Sequence, residues 1–211
     1  MMPTQSQMDF AVLADRLQRL VRLDTSVFDE VRHDASATIP AVAIAALATF
    51  LAGVGGWLWW IMQDFGDGGQ LFFESAILGT LFSVALWMVW LLVAWVVLTQ
   101  VFREEADWQQ MLRTMGMAAL PLALSVGMFI PGIDIGVALA SVALFFGLTT
   151  IAIQSTTTAN PAHVLVANLA GFAVWAVVLG LLASPDNQFA PGIFLFDVPS
   201  DALGELASKL S

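Results

Sequence analysis

The chain has no cysteine, no tyrosine and only two histidines, and charged residues make up just 11% of it. Each shortage excludes something. Without cysteine there is no disulfide, no thiol nucleophile and no Cys-based zinc or iron–sulfur site. His33 and His163 lie too far apart in sequence to form a local metal motif. No Ser/His/Asp arrangement can be assembled and no glycine-rich phosphate loop follows a strand pattern, so no catalytic, cofactor-binding or metal site is expected. Seven Lys and Arg against 17 Asp and Glu leave a net charge of −10, which argues against a nucleic-acid partner because phosphate binding needs a basic face. A soluble domain carries about 25% charged residues. Here 59% of the 211 residues are hydrophobic, as in a chain whose outside is as apolar as its inside.

The charges are excluded from four long windows: 35–63, 75–102, 114–133 and 135–185. Each reaches the roughly 20 apolar residues that cross hydrocarbon. The last is long enough for two helices, and its polar middle, Gln154 to His163, returns the chain to water. Five spans follow: Thr38 to Met62, Ser75 to Phe102, Met115 to Pro131, Ile135 to Ile153 and Val164 to Ser184. The third is the shortest and carries Pro121, so a kink or a partly re-entrant course is expected there. The fold class is all-α, a polytopic membrane helix bundle with five transmembrane helices and an N-terminal amphipathic interfacial helix. Its parts are a cytoplasmic segment (1–34), the spans (35–184) and an extracytoplasmic tail (185–211).

Orientation follows the basic residues, which cytoplasmic loops retain. Arg16, Arg19, Arg22 and Arg32 precede the first span and Arg103 and Arg113 flank the loop after the second, leaving only Lys209 in the tail. This predicts a cell inner-membrane protein with its N-terminus in the cytoplasm and its C-terminus outside. Trp57, Trp59 and Trp60 then fall near the outer end of the first span. No short apolar core with a cleavage site follows the first residues, so an uncleaved anchor is expected. Phe10, Leu13, Leu17, Leu20 and Val21 recur at helical spacing, with Arg16 at the flank of that arc and Arg19 and Arg22 opposite. These three arginines are expected to contact anionic lipid or a partner. A second short helix starts at Ser26, which forms a capping-box pattern with Asp29 and presents Val27, Phe28 and Val31 on one side. The tail holds a Phe- and Pro-rich loop (Phe189 to Pro199) and a short amphipathic turn around Leu203, Leu206 and Leu210.

Small residues recur four apart: Ala48, Ala52 and Gly56; Gly136 with Ala140; Ala143 with Gly147; Ala167 with Gly171; Ala176 with Gly180. Such stripes let helix backbones approach each other in lipid. They serve packing within the bundle or, on the functional reading, self-association or a partner membrane protein. Asp134 is the one charge between Arg113 and Asp186; the preceding Pro131-Gly132 turn places it near headgroups, and the alternative is an ion or substrate path shared with Asn168. Asn160-Pro161-Ala162 matches the water-channel tripeptide but occurs once, so helix capping by Asn160 is expected instead. Asp64-Phe65-Gly66 spells a kinase tripeptide without the other kinase signatures. Its loop, with Asp67 and Glu74, lacks a calcium-loop pattern. Glu104, Glu105 and Asp107 read as a solvated face.

From Leu23 to Leu182 the organisation resembles the Yip-one domain family, polytopic membrane proteins named for interaction with Ypt/Rab GTPases, in its prokaryotic branch. The features are the helix Leu23 to Asp34 before the first span, Leu112-Arg113 leading to Gly116 and Pro121, and the tight turn at Pro131-Gly132. Gly116 is followed by Met117 rather than tyrosine, and the Asp-Leu-x-Gly-Pro motif of eukaryotic members is missing, so Rab binding does not carry over. The resemblance implies a non-enzymatic protein that binds partners or organises membrane, a scaffold or accessory subunit. The competing expectation is a small transporter or channel subunit with a polar path near Asp134 and Asn168.

Overall fold

The computed structural model describes residues 10–62 and 68–182. Among them every regular element is helical. Two short helices, α1 (Phe10–Val21) and α2 (Val27–His33), precede five long ones: Ala35–Met62, Gly68–Val101, Trp108–Phe129, Asp134–Ser155 and Pro161–Leu182. All five are apolar and long enough to cross a membrane, which makes this a multi-pass membrane architecture. The 22 residues of the fourth and fifth spans reach about 33 Å at 1.5 Å per residue, against a hydrocarbon core of about 30 Å.

Three boundaries differ from those that charge alone predicts. The second span starts at Gly68, not Ser75, because Glu74 hydrogen-bonds Gln70 one turn earlier at 2.8 Å and a single solvated carboxylate does not end a helix. Its 34 residues include two π-helical stretches, Phe73–Leu78 and Val97–Val101. The third span begins at Trp108, where the Asp107 side chain accepts from the Gln110 backbone N–H at 2.8 Å, so it runs through Arg113. The fifth begins at Pro161, and its expected end, Ser184, lies outside the described residues.

The third span is one continuous helical run, long and apolar enough to cross a membrane. It is α-helical over Trp108–Ala118 and becomes a 3-10 helix over Leu120–Phe129. Pro121 explains the switch, since it lacks an N–H and its ring obstructs the preceding α-turn. The tighter helix rises about 2 Å per residue, so its ten residues add about 20 Å. Gly132 then closes the turn with φ +88°, a conformation that favours glycine.

The first span packs chiefly on the third. Ala41, Ala45, Ala48 and Ala52 are buried along it, and Gly53 and Gly55 bring backbone onto backbone. A Cβ on Gly53 would lie 2.6 Å from the Ser75 carbonyl oxygen, and one on Gly55 would lie 2.8 Å from the Val126 Cα. The second, fourth and fifth spans meet at Trp90, whose ring sits 5.0 Å from Phe145, 5.3 Å from Phe172 and 5.7 Å from Trp175. Gly171 makes room for it: an added Cβ would collide with the Trp90 ring.

Candidate functional site

The charged residues gather where α1 and α2 lie against the bundle. Val27, Phe28 and Val31 are fully buried, packed with Ala41 and Ile44 of the first span, Met117 of the third and Leu148 of the fourth. Leu20, with Leu13 and Leu17 beside it, joins α1 to the same cluster. Burying Phe28 and two valines stabilises the docking by several kcal/mol on an area basis, about 1.5–3 for each side chain. This is more than surface contact.

Around that apolar plug the arginines act as clamps. Arg16 lies 2.8 Å from Asp34 and 3.7 Å from Glu30, and only 7% of it is exposed. Arg19 reaches Asp24 at 2.9 Å and Glu30 at 2.6 Å. Arg32 pairs with Asp29 at 3.3 Å and donates to the Ser155 carbonyl, tying α2 to the end of the fourth span. Arg113, 6% exposed, donates to the carbonyls of Gln109 and Arg32, both at 3.0 Å, and so links the third span to α2.

The electrostatics follow these contacts. Hydrogen bonds from Ser26 and then Arg19 hold the Asp24 carboxyl down at about 2, against an ordinary 3.8. Hydrogen bonds donated to Asp24 and Glu30 raise the Arg19 guanidinium further above its usual range. Burial opposes ionisation of Asp34, yet hydrogen bonds from Ser36 and Arg16 outweigh it and keep that carboxyl below its ordinary value.

The three arginines expected to face lipid or a partner are therefore divided. Arg16 and Arg19 are turned to carboxylates of the same chain, because Asp24, Glu30 and Asp34 interleave with them and α2 folds back beneath α1. Arg22 alone stays exposed and, among the described residues, forms no ion pair. The capping box at Ser26 does not form: its hydroxyl donates to Asp24 at 2.5 Å, and Asp29 turns to Arg32 instead.

Asp134 and Asn168 are not brought together. Asp134 stands in the first turn of the fourth span, where the helix dipole favours a carboxylate, and accepts from the Trp59 indole at 3.4 Å. Asn168 is fully buried and accepts from the Trp90 indole at 2.9 Å. Its amide donates to the Phe146 carbonyl at 3.2 Å and the Thr150 hydroxyl at 2.7 Å. Those partners sit 12 and 16 residues from Asp134, about 18–24 Å along the helix.

Gly116 and Pro121 lie within the third span, and Pro131 and Gly132 follow it. Gly116 lies against the first span, where a Cβ would come within 2.6 Å of the Ala41 carbonyl oxygen. Pro121 is buried at the start of the 3-10 stretch, and Pro131 and Gly132 form the exposed turn after it. Asn160 caps the fifth span, its side chain accepting from the Ala162 N–H at 2.9 Å. Glu104 bonds the His163 ring at 2.8 Å, and that ring stacks on Phe102. No group of metal-binding side chains occurs among the described residues. Asp64 to Asp67 and the tail beyond Leu182 lie outside them.

Sequence reasoning missed the roles of Arg113, Trp90 and the carboxylates Asp24, Glu30 and Asp34. The last had a legible signal, since five acidic residues share the stretch Asp15 to Asp34 with four arginines. No family model, curated protein or solved structure matches the chain.

Proposed function

We propose that the chain is a non-enzymatic membrane scaffold or accessory subunit of an inner membrane, with its N-terminus in the cytoplasm and its C-terminus outside, related to the prokaryotic branch of the Yip-one domain family. The observation that carries this reading is the disposition of the polar groups. The ionised residues at the N-terminal end, Arg22 apart, are engaged in ion pairs that hold α1 against α2, and hydrogen bonds of Arg32 and Arg113 to backbone carbonyls tie α2 to the bundle. Asn168, fully buried in the middle of the bundle, spends its hydrogen bonds on neighbouring spans. Groups arranged in this way hold a shape and leave association as the available activity.

In this reading α1 is an amphipathic helix at the membrane–water boundary. Arg22 and the exposed Phe10, Val21 and Leu23 form the surface that meets anionic lipid or a partner. The family relationship rests on the residue pattern around Gly116, Pro121 and the Pro131-Gly132 turn. Extraction of the full chain from native membranes in a mild detergent tests the proposal. A stoichiometric membrane-protein companion supports it, and a solitary monomer contradicts it. Solute flux through proteoliposomes above that of empty vesicles also contradicts it.

A further inference from the structure

A cavity of about 540 Å³ opens between the docked α2 and the junction of the fourth and fifth spans, lined by Thr25, Ser26, Asp29, Thr150, Gln154 and Ser155 among others. The hydroxyl protons around it are largely spent. Thr150 donates to the Phe146 carbonyl at 2.9 Å, Ser155 to the Ala152 carbonyl at 2.7 Å and Ser26 to Asp24 at 2.5 Å. The Gln154 amide nitrogen donates to the Ala159 carbonyl at 3.1 Å. What remains is mostly acceptor: the Gln154 carbonyl, hydroxyl lone pairs and the exposed Asp29 carboxylate, which is the one charged side chain in the lining. The lining contains no aromatic residue.

A second feature runs into this cavity. Gly136, Ala140, Ala143 and Gly147 share one face of the fourth span, and the same face continues through Ile151 to Gln154. That face is open: nothing lies within 4 Å of a Cβ placed on Gly136 or Gly147, and Ala140, Ala143 and Ile151 are exposed. A smooth apolar track down a spanning helix thus ends in a polar, acceptor-rich chamber at the helix end.

We infer that this cavity and the near end of the track bind a phosphatidylethanolamine of the adjoining leaflet, with an acyl chain along Ile151, Gly147 and Ala143, about 16 Å of helix and so one leaflet deep, and the primary ammonium on Asp29. The ammonium brings three N–H donors to a site short of donors. A choline headgroup has none and finds no aromatic cage here. An anionic headgroup meets a carboxylate, and the Arg32 guanidinium beside it is already engaged by Asp29 and the Ser155 carbonyl. The inference rests on the proposed placement of the N-terminal end at the membrane–water boundary.

The test uses the full chain, delipidated and reconstituted into vesicles of phosphatidylcholine doped with phosphatidylethanolamine or phosphatidylglycerol, followed by native mass spectrometry of the retained lipid. Phosphatidylethanolamine should be retained about fivefold over the other two, the scale of one partly exposed ion pair. Asp29→Asn should abolish the preference, and Ile151→Trp, which fills the cavity and leaves the Asp29–Arg32 pair intact, should reduce it as well. Equal retention of the three lipids by the unaltered chain, a preference for phosphatidylglycerol, or a preference that survives both substitutions would overturn the inference. Quenching of the tryptophans by brominated acyl chains, measured on the same vesicles, reports embedding whatever the headgroup. Full quenching without headgroup preference overturns this inference alone, whereas absent quenching overturns the membrane placement beneath it.

Discussion

The first and fourth spans share a mean hydropathy of 2.1 and both carry small residues four apart, yet they use them in opposite ways. In the first, Ala48, Ala52 and Gly56 are buried, and the adjoining Gly53 and Gly55 press on the backbones of Ser75 and Val126. In the fourth, Gly136, Ala140 and Ala143 face outward and nothing stands within 4 Å of a Cβ on Gly136 or Gly147. Spacing identifies a face that permits close approach. Only the neighbouring chain decides whether anything approaches. The arginines repeat the contrast, with Arg16 enclosed by carboxylates and Arg22 exposed.

The largest effect is expected where approach is closest. Gly55→Ala and Gly171→Ala each place a methyl group against atoms that cannot yield, a backbone in one case and the packed Trp90 in the other, and should cost about 3 kcal/mol. Detergent-titration unfolding of the purified chain measures this. Wild-type stability in either variant would break the contrast at its stronger end.

Asn168→Leu comes next. It leaves the Trp90 indole N–H without its acceptor in the middle of the bundle, a loss of about 1–2 kcal/mol in the same assay. Arg16→Gln should be of similar size, about 1.5–2 kcal/mol, because it takes the guanidinium from Asp34 near the apolar plug, whereas Glu30 keeps Arg19. Arg22→Gln, at an exposed site, should stay within about 0.5 kcal/mol. Proteolysis of α1 distinguishes the two arginine variants, and equal protection would erase the difference between enclosed and open arginines.

Acid sharpens the same point. Asp24 has a depressed pKa in the folded chain, so its contribution to docking is complete above its ordinary 3.8 and is lost as pH falls toward about 2. Asp34 is depressed as well and acts in the same direction. Release of α1 should therefore set in below pH about 4, and tryptophan-independent probes such as limited pepsin cleavage should detect it. Release that begins instead as pH rises would contradict the assignment of these clamps. The smallest effect belongs to Gly136→Ala and Gly147→Ala, which should change stability by less than about 0.5 kcal/mol.

Much of the architecture was legible because lipid imposes simple demands. Charge-free windows of 20 residues or more located all five spans, and Asn160 and Pro161 correctly announced the start of the fifth. The displaced starts of the second and third spans have one cause: a charge does not always mark water, since Glu74 is carried within a helix by Gln70 and Arg113 is buried against backbone carbonyls. The course of the third span was hidden for a different reason. Pro121 signals a break in α-helix but not its replacement by ten residues of 3-10 helix. The arginine clamps were less legible still, since one-helix periodicity places Arg16 at a flank and cannot foresee that α2 will bring Glu30 and Asp34 up to it. The Trp90–Asn168 junction joins residues 78 positions apart, beyond the reach of any local pattern.

The absence of cysteine makes the decisive measurement direct, because a single introduced thiol has no competitor. Thr158→Cys, exposed between the fourth and fifth spans, and Pro131→Cys, exposed between the third and fourth, lie at opposite ends of the fourth helix. Labelled with a membrane-impermeant thiol reagent, the first should react only in inverted vesicles and the second only in right-side-out ones. Reaction of both from the same side would contradict a bundle that crosses the membrane with its N-terminus in the cytoplasm.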